Sequence, residues 1–184
     1  MVKKPNYFIG KLSLLDKQPV CLFCSRSVPI SLIASGIEFL QSVMQLPLTF
    51  ISGWHSSLER KALRMHTPEM PSNIIYFPAQ GIDHFKIPAY LQADYENEKL
   101  LIVSLCKSEK GTDRHTAKKR NDYLLKNYDR FLFLYISPKG QLAGLYQQAI
   151  DQHKDVFIFD HFTNNEWITE NVVPVSKYNS KVLL

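Results

Sequence analysis

Cysteine is scarce: three residues in 184, at positions 21, 24 and 106. So small and odd a number excludes a disulfide framework and points to a reducing compartment, so a cytoplasmic location is expected. Glycine is also thin at seven residues, and none belongs to a G-x-G-x-x-G or Walker loop. No stretch reaches the roughly 18 uninterrupted apolar residues of a membrane helix, and no membrane partner is expected. The start, Met1-Val2-Lys3-Lys4-Pro5, has the charge of a signal peptide, but Asn6, Lys11, Asp16 and Lys17 interrupt the apolar run that should follow. Cys21-x-x-Cys24 has no second Cys/His pair, and alternation along a strand sends its two side chains to opposite faces. Neither a metal nor a cofactor is expected. A G-x-S-x-G elbow, which would support a serine hydrolase, is missing as well.

Apolar residues make up 45% of the chain and charged residues 21%, as in ordinary globular proteins. Lysine plus arginine exceed the acids by 22 to 17, a net +5 that is compatible with a phosphate-rich partner but too mild to demand one. The length is sufficient for a core of its own.

Short apolar runs alternate with stretches of helical spacing. Val20–Phe23, Leu48–Ile51, Ile74–Phe77, Leu100–Val103, Phe131–Tyr135 and Val156–Phe159 read as strands. Between them, Leu32, Ile33, Ile37, Leu40 and Val43 share one helical face after Pro29, and Ser56 to Met65 forms a second helix. Pro88 to Glu98 is weakly helical, while Lys118 to Tyr128 and Gln141 to His153 are stronger. Continuous apolar strands require a sheet covered on both faces, and alternation with helices implies parallel pairing. The pattern predicts an α/β, doubly wound, Rossmann-like and mainly parallel sheet of about six strands. One domain is expected over 1–184, with a core at about 19–160 and a C-terminal extension at 161–184.

In such a sheet, ligands sit at the carboxyl ends of the strands where the order reverses. The loops there carry the candidate residues. Cys24-Ser25-Arg26-Ser27 puts a hydroxyl and a guanidinium before a helix N-terminus, a phosphate-site pattern that simple capping by serine also explains. Ser52-Gly53-Trp54-His55-Ser56-Ser57-Leu58-Glu59 combines a glycine for close approach with a capping-box pattern. Trp54 there either stacks on a base or covers the core edge. Arg114-His115-Thr116-Ala117-Lys118-Lys119-Arg120-Asn121 is the densest basic run, at the edge that faces the other loops. Ser137-Pro138-Lys139-Gly140-Gln141 makes a turn into a helix N-terminus, a further anion cradle. Asp83-His84 reads as a turn.

Taken in order, these segments resemble the DprA/Smf family of DNA-processing proteins, within the wider Rossmann-like superfamily of the cytokinin-activating phosphoribohydrolases. Cys24-Ser25-Arg26 is similar to the family's Gly-Ser-Arg, and Ser52 to Glu59 to its Ser-Gly-Gly-Ala-Arg-Gly-Ile-Asp. Gly81-Ile82-Asp83 resembles its Gly-Leu-Asp, and Arg120-Asn121, Leu124, Asp129 and Phe131 to Leu134 follow its Arg-Asn, helix, Asp and strand. His153-Lys154-Asp155-Val156 resembles its closing Gly-Arg-Asp-Val. The departures are Cys24, Trp54 and Ser57 for glycines and Ser56 for the arginine, which removes a charge from the cradle.

The resemblance implies a protein that binds single-stranded nucleic acid or a nucleotide, in DNA processing or uptake, with a recombination protein as a partner and a homodimer as an open assembly. The binding residues it implies, together with the loop reading, are Ser25, Arg26, Ser52, Gly53, Trp54, His55, Ser56, Arg120, Asn121 and Gly140, with none catalytic. An alternative is a phosphoribohydrolase acting on nucleoside monophosphates. Such enzymes carry Pro-Gly-Gly-x-Gly-Thr-x-x-Glu after a late strand, whereas Ser137 to Gln148 contains no acid. A third reading is a degenerate scaffold without a ligand.

Overall fold

The computed structural model describes residues 5–108 and 113–184. The charged start at Met1 to Lys4 lies outside them. Eight strands form one sheet: β1 (Tyr7–Gly10), β2 (Val20–Cys24), β3 (Thr49–Ser52), β4 (Asn73–Tyr76), β5 (Leu100–Ser104), β6 (Arg130–Tyr135), β7 (Asp155–Phe159) and β8 (Val173–Val175). Their order is β1-β5-β4-β3-β2-β6-β7-β8. Every pair is parallel except β1 with β5.

Five α-helices connect them: α1 (Ile30–Met44), α2 (Ser57–Met65), α3 (Gln92–Glu96), α4 (Arg114–Asn127) and α5 (Gln141–Asp151). Each central strand feeds both faces of the sheet. On β6, Leu132 and Leu134 join the layer formed with Leu32, Leu40 and Val43 of α1 and Leu58 and Leu63 of α2. Phe131 and Phe133 point the other way, among Leu124 and Leu125 of α4 and Leu145, Tyr146 and Ala149 of α5. That two-sided burial is why the strands read as unbroken apolar runs. Cys24 and Cys21 fall in opposite layers, as strand alternation requires.

The six expected strands are present with ends within a residue or so, but the sheet has eight. β1 and β8 are the additions, one at each edge and only four and three residues long. Pro174 inside β8 is tolerated because an edge strand has an unpaired side. The stretch after β7 is pinned to the body of the protein. Asn164 Nδ2 donates to the carbonyls of Leu134 and Phe159 at 3.0 and 2.9 Å, and Trp167 Nε1 to that of Ile136 at 3.1 Å. Among the described residues, no helix is long and apolar enough to cross a membrane.

The order β5-β4-β3-β2 runs outward in one direction and β6-β7-β8 in the other. The reversal therefore lies between β2 and β6, and the carboxyl ends of these strands open the crevice where such sheets bind ligands.

Candidate phosphate-binding cleft

A cleft of about 530 Å³ lies at this reversal. Its walls come from four connections: Cys24 to Ser27 after β2, His55 and Glu59 after β3, the first turns of α4, and Ser137 to Leu142 after β6. The β2 and β6 tips are tied to each other. The amide of Ser25 donates to Tyr135 O at 2.9 Å, and that of Ser137 donates to Ser25 Oγ at 2.9 Å. Ser25 is buried and holds the floor together, which leaves Arg26, exposed beside it, as the charged group of that loop.

The turn after β3 is organised by one carboxylate. Glu59 Oε2 accepts the amides of His55 and Ser56 at 3.0 and 2.6 Å, and its Oε1 accepts Ser52 Oγ at 2.9 Å. Ser56 Oγ in turn accepts the Glu59 amide at 3.1 Å and completes a capping box on α2. Trp54 sits in this turn with φ of 55°, and its ring is 1% exposed with Nε1 donating to Ile75 O at 3.0 Å. Three expected ligand residues thus stand behind the cleft wall. Ser52 and Ser56 are consumed by the cap, and the Trp54 indole is a core side chain with no face for a base. The core-edge alternative for Trp54 and the capping alternative for Ser56 are the ones realised.

Gly53 has a different role. A Cβ built on it would stand 1.8 Å from Arg120 Nη1 and 2.6 Å from Arg120 Cζ. The guanidinium occupies the space a side chain would take, so the glycine is required by close approach. Arg120 is 7% exposed, and its Nη1 is buried without a hydrogen-bond partner. Its Nε and Nη2 both donate to Asn121 Oδ1, at 3.1 and 2.9 Å. Burial depresses the Arg120 pKa, while the Glu59 carboxylate nearby opposes that shift. An arginine still remains a cation under these conditions.

His55, half-buried, lines the cleft. Burial and the charges of Arg120, Arg26 and Arg60 push its pKa down to about 4, so the imidazole is neutral at pH 7. Asp113 caps α4, accepting the Thr116 amide at 2.7 Å. That bond and one from the Thr116 side chain hold its carboxyl below the ordinary range. The two acids of the cleft are therefore both engaged in caps. Arg26, Arg114, Arg120 and Lys139 supply the positive charge. The 11-residue α5 follows Gly140, an N-cap with no side-chain hydrogen bond, and Gly140, Gln141 and Leu142 line the cleft, so the amide end of the helix dipole lies at its wall.

Of the expected residues, Ser25, Arg26, His55, Arg120, Asn121 and Gly140 line one cleft, and Gly53 backs it through Arg120. Arg114 and Lys139 also line the cleft without having been singled out one by one, beside the helix N-terminus after Gly140 that was expected as an anion cradle. Arg114 was visible as part of the basic run, and Lys139 as part of the turn after β6. Among the described residues there is no cluster of metal-ligating side chains. Ser72, His66 and Asp94 are linked in a triad-like chain, with His66 Nδ1 2.8 Å from Asp94 Oδ1 and Nε2 3.0 Å from Ser72 Oγ. All three are fully buried, so no substrate reaches them.

No family model and no curated protein matches the sequence. Solved structures do. The DNA processing protein A of Streptococcus pneumoniae matches with a TM-score of 0.73 at 18% identity, over 96% of this chain and 64% of that one. The single-stranded DNA-binding DNA processing protein A of Helicobacter pylori matches with a TM-score of 0.73 at 15% identity, over 100% of this chain and 87% of that one. The molybdenum cofactor carrier protein of Chlamydomonas reinhardtii matches with a TM-score of 0.55 at 10% identity, over 90% of this chain and 95% of that one. The chain thus spans somewhat less than two thirds of the Streptococcus protein's length. Its fold is Rossmann-like and, in the arrangement of its elements, similar to that of DNA processing protein A.

Proposed function

We propose that the cleft between β2 and β6 binds the phosphate of single-stranded nucleic acid, with Arg120 as the buried anchor. One observation carries the reading: a guanidinium 7% exposed, with an unpartnered N–H, fitted against Gly53 at the reversal point of the sheet. A buried cation is costly when the nearest acid, Glu59, spends its oxygens on Ser52, His55 and Ser56, and an anion in the cleft offsets that cost. Arg26, Arg114, Lys139 and the α5 amides supply further positive potential. The likeness to a DNA processing protein described as binding single-stranded DNA supports the same ligand class. A mononucleotide is the second reading, favoured by a volume of about 530 Å³, within the range of small-molecule pockets.

Fluorescence-anisotropy titration of a labelled oligothymidylate and a labelled nucleotide tests both readings. Arg120→Ala and Arg26→Ala each weaken binding roughly 10-fold or more, because a charge-assisted contact contributes about 1.5–3 kcal/mol. For the oligonucleotide, the salt dependence becomes shallower as well. Lys118→Ala, at an exposed residue paired with Asp122, leaves affinity near physiological salt almost unchanged. Binding by both arginine variants equal to the parent overturns the assignment, and binding of the nucleotide alone selects the second reading.

A further inference from the structure

Resting on that reading of the cleft, we infer that Asn121 is an internal competitor for the anion: its carboxamide oxygen occupies the donor edge of Arg120 and is exchanged for a phosphate oxygen when ligand binds.

Nε and Nη2 of Arg120 converge on the single atom Asn121 Oδ1. This edge is the one that a guanidinium offers to a carboxylate or phosphate. Consecutive residues of a helix diverge by about 100°, so the contact is not a by-product of helical spacing. The arginine has to fold back across its neighbour to make it. The acceptor is also a poor match in charge. Asn121 is neutral, and among the described residues no ion pair includes Arg120. Glu59, the acid whose field it feels, has its oxygens committed to Ser52, His55 and Ser56. Nη1 has no acceptor.

The two residues differ in freedom. Arg120 is buried, with its guanidinium against Gly53, whereas Asn121 is only partly buried and lines the same cleft. Rotation of the shorter, more exposed side chain lifts Oδ1 from the fork without disturbing the arginine. Binding is then an exchange of a neutral acceptor for a charged one. An anion with two negative charges, such as a terminal phosphate, displaces the amide more effectively than a phosphodiester with one.

Isothermal titration of the full chain with inorganic phosphate and with a 5′-phosphorylated oligothymidylate tests this. Asn121→Ala removes the competitor and binds both probes about tenfold more tightly than the parent, equivalent to about 1.4 kcal/mol. Asn121→Ser, whose hydroxyl is too short for the fork, shifts in the same direction. Asn121→Asp closes on Arg120 as an ion pair and weakens both probes by tenfold or more. If the parent binds but Asn121→Ala, with unchanged circular dichroism and melting, binds equally or less tightly, the exchange is wrong and the amide is a bystander or a direct contact. If neither the parent nor any variant binds, the reading of the cleft falls and the exchange falls with it.

Discussion

His55 is half-buried beside Arg120, Arg26 and Arg60, and burial first, then these like charges, decides its protonation. Its pKa falls from 6.5 to about 4 on folding. Between those values the unfolded chain carries a proton at this residue that the folded chain does not. Unfolding therefore takes up a proton, and stability declines as the pH drops through that window. Above pH 6.5 the contribution is complete. Thermal melts of parent and His55→Gln at pH 7, 5.5 and 4.5 check the sign: the gap between the two narrows, or reverses in favour of the variant, as the pH falls. A gap that is constant with pH contradicts it. The identity of the residue gave no hint of this shift, because its burial and the approach of Arg26 and Arg120 from other stretches of chain arise only in the fold.

At the scale of the element, the turn from β3 into α2 shows how far pattern reading reaches. A capping box of Ser56 or Ser57 with Glu59 was legible because the partners lie within one turn of helix, and the fold uses Ser56. The fate of Trp54 was not, since its partner, the carbonyl of Ile75, belongs to β4, 21 residues along the chain. Trp54 also takes a left-handed backbone that favours glycine, the residue the family resemblance expects there. The buried indole compensates for that strain. Trp54→Gly relaxes the backbone by about 1 kcal/mol but empties a large core position worth about 3–5 kcal/mol, so a net destabilisation of about 2–4 kcal/mol is expected. Urea denaturation measures it, and a variant as stable as the parent shows that the ring is not a structural element of the turn. The two edge strands were missed for a different reason. Neither is a continuous buried apolar run: β1 alternates half-buried with exposed residues, and β8 is three residues with a proline in the middle.

For the whole molecule, the alternation of strands and helices was enough to predict the parallel sheet, since it depends on which faces are covered and this is written in the composition of each strand. The strand order was not written there, and it is the order that puts the tips of β2 and β6 side by side. From that one adjacency follow the Ser25–Ser137 tie, the entry of α5, and the placing of Arg26 and Arg120 on one cleft. Both arginines were legible at one edge of the sheet, but packing alone sinks Arg120 against Gly53 while Arg26 stays exposed. The central claim is that an anion is held by the buried guanidinium and by the amide end of α5. The most direct measurement is nuclear magnetic resonance of the ¹⁵N-labelled chain, observing the Arg120 side-chain Nε–H and the backbone amides during titration with a 5′-phosphorylated oligothymidylate. The account predicts saturable shifts at Arg120 Nε–H, Gln141 and Leu142, with a common midpoint. Shifts confined to the exposed lysines of α4, Lys118 and Lys119, with Arg120, Gln141 and Leu142 unmoved, would contradict it.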